Sequence, residues 1–207
     1  MSEPYEELAR LGSATVFEAS GREGLVDLDL HRVIPGSRAA GPARTVRCGQ
    51  DDILMVHAAI DGLVDGDVLV LTMPEPGPVA LLGELLATQA KRKGAAAVLI
   101  DAAVRDTEGL RELGLPVWAR WIRVQGANRT AVGELDVPVN VGGTQIEPGD
   151  AVVLDSDGAV VVARSRLGEV VEASRERAAN EQEKREKFSS GVLSYDLYGL
   201  RKVVEGD

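Results

Sequence analysis

The run from residue 68 to residue 122 constrains the fold most. Three apolar segments, "VLVLT", "AAAVLI" and "PVWARWI", alternate with two segments of helical character, "LLGELLATQAKRKG" and "TEGLREL". The resulting β-α-β-α-β alternation favours an α/β layered core. In the first helical segment Leu82, Leu85, Leu86 and Ala90 form an apolar stripe. Lys91, Arg92 and Lys93 fill the last turn, where the helix dipole is negative, and Gly94 supplies the stop. This helix is expected to begin near Gly83. The second helix spans residues 107–113, closed by Gly114 with Pro116 just beyond.

Flanking segments extend this pattern. Residues 5–20 read as two short helices broken at Gly12-Ser13, and "VIPGSRAAGPARTVRCG" reads as strands and turns. Residues 51–60 resume a helix with Leu54, Met55, Ala58 and Ala59 on one side, whereas "MPEPGPVA" reads as a loop. Residues 137–163 carry turn signals at Gly142-Gly143, Pro148-Gly149 and Asp157-Gly158 between β-rich runs, which predicts a small antiparallel section. From residue 166 to residue 189 the chain is a charged helix in which Glu181 can pair with Arg185 and Glu183 with Lys187. The tail "GVLSYDLYGLRKVV" is apolar again and needs a cover, either a neighbouring subunit or the chain's own core. We therefore divide the chain into a domain at 1–165 and a C-terminal helix and arm at 166–207.

Charge and composition narrow the partners. A net charge of −10 argues against binding a phosphate backbone, which needs clustered Lys and Arg, so no nucleic-acid partner is expected. No apolar stretch approaches the ~20 residues that span a bilayer, and "MSEPYEELARLG" lacks a secretory signal pattern. The expected setting is cytoplasmic, with no membrane contact. The single Cys48 excludes a disulfide framework and a cysteine metal site. His31 and His57 are too scattered for a histidine cluster, and "LDSDG" lacks the spacing of a calcium loop.

Candidate chemistry converges on the end of the strand "AAAVLI". A helix start near Gly83, Glu84, Leu85 and Leu86 leaves backbone N–H groups unpaired, ready for a carboxylate. Arg105 adds a fork of donors matched to two carboxylate oxygens, and Asp106 offers a hard oxygen of the kind Mg²⁺ takes from proteins one or two at a time. Together they describe a site for a small 2-oxo acid. The residues also admit a plainer reading: Asp106 as the N-cap of the next helix, Arg105 as a solvated strand end, Glu84 as a first-turn acid. Imine catalysis is disfavoured, because Lys91, Lys93, Lys184, Lys187 and Lys202 all lie in charged helix ends or the tail. No serine nucleophile motif is present.

The series "GELLATQAKRKGAAAVLIDAAVRD" followed by "ELGLPVWAR" resembles the divalent-metal-dependent pyruvate aldolases acting on 4-hydroxy-4-methyl-2-oxoglutarate and 4-carboxy-4-hydroxy-2-oxoadipate. Their fold is shared with the regulator of ribonuclease activity A. "SATVFEASGREG", "VNVGGTQIEPGDAVVLDSDGAVVV" and "GVLSYDLYGLR" carry the resemblance over most of the chain. It implies a layered α-β-β-α sandwich with a C-terminal helix and arm on a neighbouring subunit. By position, Gly83, Glu84, Leu85 and Leu86 would form the substrate-binding helix start, Arg105 would bind the pyruvyl group, and Asp106 would hold Mg²⁺ or Mn²⁺. A water on the metal, ordered by Glu84 or another carboxylate, would carry the proton. An acid from a neighbour's C-terminal helix would complete the site in a trimer or dimer of trimers (homohexamer); Glu181 is the candidate, with Glu183 and Glu186 as alternatives. Leu82, where these aldolases often carry tryptophan, would line the pocket beyond the pyruvyl group. The implied activity is pyruvate aldolase with oxaloacetate decarboxylase activity; alternatives are a regulator binding ribonuclease E, or a lyase acting on another 2-oxo or β-keto acid.

Overall fold

A computed structural model describes residues 3–206. In chain order the elements are α1 (Glu3–Leu11), α2 (Ser13–Ala19), β1 (His31–Arg32), β2 (Ala39–Arg47), α3 (Leu54–Asp61) and β3 (Val68–Thr72). Next come β4 (Ala80–Leu82), α4 (Glu84–Arg92), β5 (Ala97–Val104), α5 (Thr107–Leu113), β6 (Val117–Ile122) and β7 (Glu134–Leu135). They are followed by β8 (Val139–Val141), β9 (Thr144–Ile146), β10 (Ala151–Leu154), β11 (Ala159–Val162), α6 (Leu167–Ser189), α7 (Ser194–Leu197) and α8 (Leu200–Glu205).

The expected alternation forms the centre of the molecule. β2, β3, β5 and β6 run parallel, and one curled sheet follows the order β1-β6-β5-β3-β2-β10-β11. Every residue of β3 and β5 is buried, as in near-continuous apolar strands with both sheet faces covered; the charged exception, Asp101, pairs with Arg120 at 3.0 Å. On one face Val56, Ala59, Ile60, Leu86, Ala87 and Leu110 of α3 to α5 pack on Leu69, Leu71, Val98 and Ile100. On the other, Val68, Val70, Leu99 and Trp118 meet Ile146, Val152, Leu154 and Val161. The far side of β10 and β11 (Val153, Val160, Val162) is covered by Leu8, Val16, Val170 and Val171 of α1, α2 and α6. The layers therefore run α-β-β-α.

Three local expectations are corrected. Leu82 belongs to a short strand rather than to the helical stripe, because Arg105 N–H bonds to the Leu82 carbonyl at 3.0 Å and holds residues 80–82 extended along β5. α3 starts at Leu54 and buries Val56, Ala59 and Ile60, leaving Ala58 exposed, since the Asp52 carboxylate takes the Leu54 N–H at 2.8 Å and sets the helix phase. On α6, Glu181 pairs with Arg177 at 2.9 Å and Arg185 turns to Gln182 at 2.7 Å, so the expected Glu181–Arg185 pair does not form. The "LDSDG" turn is structural: Asp155 accepts Ser13 N–H and Oγ at 2.7 and 2.6 Å and so caps α2. Near the end of α6, Phe188 meets Tyr198 of the arm edge-on at 6.4 Å, and Lys184 lies over the same ring. The arm thus folds against the end of α6, with Leu193, Val203 and Val204 exposed.

Candidate active site

The sheet is interrupted where the chemistry-bearing residues emerge. β5 pairs with β6 at Ile100 and again at Ala103, with an irregularity between, and its last residues accept β4 in the place that β3 occupies lower down. The strand therefore delivers Arg105 and Asp106 directly beside the β4-to-α4 turn. Gly83 is the N-cap of α4, as the sequence predicts.

Asp106 stands at the N-cap position of α5 in the left-handed conformation, φ 57° and ψ 41°, and its side chain makes no bond to its own helix. It reaches across instead. Oδ2 accepts the Glu84 N–H at 3.2 Å, and Arg105 Nε lies 3.5 Å from the same oxygen. One carboxylate thus satisfies an orphan N–H of α4 and lies at that helix's positive end, an arrangement worth about 0.3–1 kcal/mol. The expectation that Asp106 caps α5 holds for its backbone, which receives Leu110 N–H, and not for its carboxylate. Such backbone strain persists where surrounding contacts over-determine it, commonly at functional sites. Both side chains remain half-exposed, 43% for Arg105 and 45% for Asp106.

Two glycines make this approach possible. A Cβ on Gly83 would lie 2.5 Å from Asp106 Oδ2 and 3.1 Å from Arg105 Nε, and one on Gly126 would lie 2.6 Å from Arg105 Nη1. The α4 start thus lies against both side chains, and the loop after β6 lies against the guanidinium. A cavity of about 210 Å³ opens over it, lined by Leu82, Gly83, Leu85, Leu86, Arg105 and Asp106 on one side and by Ile53, His57, Gly126 and Arg129 on the other. That volume suits a small organic acid. A larger depression of about 680 Å³ lies by Arg47, Cys48 and Glu134. There Arg47 and Glu134 neutralise one another, and burial pushes the Cys48 thiol up to about 12, so that depression presents neither a lone cation nor a thiolate.

Of the residues expected at the site, Gly83, Leu85, Leu86, Arg105 and Asp106 meet at this cavity. Glu84 contributes its backbone N–H, while its carboxylate lies against Gly109 in the first turn of α5. Glu181 sits on α6 in the opposite outer layer and is not brought to Arg105 within one chain; Glu186 bonds to Gln182 there. Sequence reasoning missed the opposite wall. His57 is exposed on α3 and faces the cavity, and the loop after β6 brings Gly126 and Arg129. Both segments are joined by Asp52, 1% exposed, whose carboxylate accepts N–H groups from Leu54 (2.8 Å), Thr130 (2.6 Å) and Ala131 (2.9 Å). Burial works against its ionisation, yet these backbone donors prevail and hold its pKa below the ordinary value. The signal available was an aspartate two residues ahead of a helix start.

A divalent cation fits one part of this arrangement. Among the described residues no three His, Cys, Asp or Glu side chains converge, so an all-protein cage is absent. Asp106 lines the cavity from a half-exposed side chain, and the Glu84 N–H and Arg105 Nε both meet its Oδ2. A single carboxylate with water and substrate completing an octahedron is the donor set that Mg²⁺ accepts.

Residues 13–161 match the RraA-like family, described as aldolase/RraA. The chain belongs to the aldolase/RraA family. A relative from Halalkalibacterium halodurans named "Putative 4-hydroxy-4-methyl-2-oxoglutarate aldolase" is 29% identical over 167 residues, 81% of this chain and 79% of that protein. Among solved structures, an uncharacterized protein from Pseudomonas syringae pv. tomato superposes with a TM-score of 0.80 at 26% identity, covering 92% of this chain and 94% of that one. Streptomyces coelicolor RraAS2, described as an unusual member of the RNase ES inhibitor RraA protein family, gives a TM-score of 0.73 at 32% identity, covering 93% and 98%. The aldolase/RraA assignment agrees with the resemblance carried by "GELLATQAKRKGAAAVLIDAAVRD", and the fold agrees with the layered sandwich it implied. Among the described residues no helix is long and apolar enough to cross a membrane.

Proposed function

We propose that this aldolase/RraA member is a divalent-metal-dependent pyruvate aldolase, cleaving 4-hydroxy-4-methyl-2-oxoglutarate or 4-carboxy-4-hydroxy-2-oxoadipate and decarboxylating oxaloacetate. The observation that carries this reading is the convergence of Arg105, Asp106 and the α4 start on one small cavity. The aldolase name of the H. halodurans relative supports the same reaction class.

The residues divide the work as follows. Arg105 pairs with the pyruvyl carboxylate through two guanidinium N–H groups, and the first-turn N–H groups of α4 add donors that need no reorganisation. As the C3–C4 bond breaks, its electron pair passes into the pyruvate enolate, whose negative charge Arg105 and the helix end stabilise. The C4 hydroxyl gives up its proton as its carbon becomes a carbonyl, and C3 is then protonated to yield pyruvate. When bound, Mg²⁺ or Mn²⁺ supplies a Lewis acid for the 2-oxo oxygen, with Asp106 as the residue that would hold it. Glu181 from a neighbouring copy, in a trimer or dimer of trimers, is our candidate for the acid that completes the site and serves the proton step, with Glu183 and Glu186 as alternatives. The exposed Phe188, Leu193, Leu200 and Val203 beside α6 support a C-terminal segment that packs on another subunit.

The test is a coupled assay for pyruvate with Mg²⁺ or Mn²⁺ present. Release from oxaloacetate and from 4-hydroxy-4-methyl-2-oxoglutarate is expected; folded, metal-supplied protein that yields none from either overturns the reading. The kinship with RraAS2 over almost the whole chain favours a second reading, regulation of an RNA-degrading enzyme. Tight capture of ribonuclease E by a protein that releases no pyruvate would select it.

A further inference from the structure

Asp52 is a buried, ionised group for which the reaction above has no use. Its position is unusual because its two oxygens serve two different segments of the cavity lining. Oδ1 takes the N–H of Leu54, the first residue of α3, and Oδ2 takes the N–H groups of Thr130 and Ala131 in the loop after β6. α3 carries His57 into the cavity, and the loop carries Gly126 and Arg129. The neighbouring backbone reinforces the join: Ile53 N–H bonds to Asn128 O at 2.9 Å, and Asn128 N–H to Asp51 O at 2.8 Å. At the loop's other end Ala80 N–H bonds to Gln125 O at 2.8 Å, next to β4. Between these anchors Gly126 is pressed so closely on Arg105 Nη1 that even a methyl group would collide with it.

We propose that Asp52 is a positioning residue of this site: it staples the loop of residues 125–131 to α3 and thereby holds Gly126 against the Arg105 guanidinium, orienting that fork for the substrate carboxylate. This rests on the function proposed above. A buried carboxylate accepting several backbone N–H groups is rigid, and replacing it with an amide puts an N–H₂ group against N–H donors. The loop should then loosen, and Arg105 should lose its fixed orientation while keeping its charge. Arg105 keeps its charge and so still meets the enolate, whereas the two-pronged carboxylate contact that loosens is made to bound substrate and transition state alike; the loss should therefore fall mainly on KM.

The experiment compares Asp52→Asn with Asp150→Asn, using the full chain with Mg²⁺. Asp150 is a matched control, a buried carboxylate that accepts two backbone N–H groups, from Glu147 and Arg164, where Asp52 accepts three, and none of these control residues lines the cavity. For Asp52→Asn we expect amide exchange to accelerate at residues 128–131 and KM for oxaloacetate to rise tenfold or more, with kcat changed less than threefold. Asp150→Asn should leave both the loop amides and KM within twofold of wild type. Unchanged loop amides in Asp52→Asn, or freed amides with unchanged KM, would overturn the proposal. Should Asp52→Asn fail to fold, Gly126→Ala at the exposed end of the same chain of contacts is the second variant; it is expected to raise KM at least fivefold, and an unaltered KM would refute the proposed route. Wild-type protein that releases no pyruvate would count against the function, while the amide exchange would still decide whether Asp52 holds the loop.

Discussion

Arg105 illustrates how much one side chain can be asked to do. The Arg105 guanidinium lies close to Gly83 and Gly126 and beside Asp106, and it offers a planar fork of donors that a lysine ammonium cannot copy. Arg105→Lys should retain the charge and lose the two-pronged contact, costing at least ~2 kcal/mol of transition-state stabilisation, roughly a thirtyfold drop in kcat/KM. Steady-state pyruvate release measures this directly, and an unchanged rate would remove Arg105 from the site. Asp106 shows the limit of reading at this scale. Its place ahead of α5 was legible, but the left-handed backbone that turns its carboxylate away from α5 and toward α4 comes from the neighbouring strand and glycine.

At the scale of elements, the α4 start is the decisive piece. Its Gly N-cap is not needed for a positive φ, since the backbone there is extended; it is needed because Asp106 and Arg105 occupy the space a Cβ would take. Gly83→Ala should therefore lower kcat/KM by an order of magnitude or more while costing only about 1–3 kcal/mol of stability, because the displaced side chains are half-exposed and can move. Parallel measurements of thermal midpoint and activity would show this; equal losses in both would point to a merely structural glycine. The helices and long strands of this region follow from periodicity and glycine stops. β4 and β7 do not, since two or three residues carry no period, and they exist only because β5 and β2 offer them open backbone groups.

At the scale of the whole molecule, two predictions concern how distant parts cooperate. If Arg105 of one copy works with Glu181 of the next, Arg105→Ala and Glu181→Ala chains should each be nearly inactive alone. Mixed assemblies of the two should regain activity at about a quarter of their sites, the share expected for random pairing across a shared interface. Absence of any recovery after mixing would rule out a shared site. The second concerns acid. Asp52 has a lowered pKa in the folded chain, so its contribution to stability is present above the unfolded carboxylate value of about 3.9 and is lost as pH falls through the folded value. The gap in thermal midpoint between wild type and Asp52→Asn should therefore be full at neutral pH and close only in strong acid, below the ordinary carboxylate range. A gap that persists undiminished there would mean that the charge of Asp52 is not what secures the loop.

The alternating core, the start and stop of α4, and the adjacency of Arg105 and Asp106 are legible in the chain before it folds, because periodicity, glycine placement and chain neighbours are local properties. The sequence also carries the family resemblance, in motifs spread along the chain. Which helix the Asp106 carboxylate serves, and which loop lines the cavity, depend on contacts made by the folded chain. Asp52 reaches Thr130 across 78 residues of chain, and Gly126 meets Arg105 only after β6 has paired with β5. Such contacts are fixed by strand register and by the demand that buried polar groups find partners, and neither leaves a spacing that the chain can show before it folds.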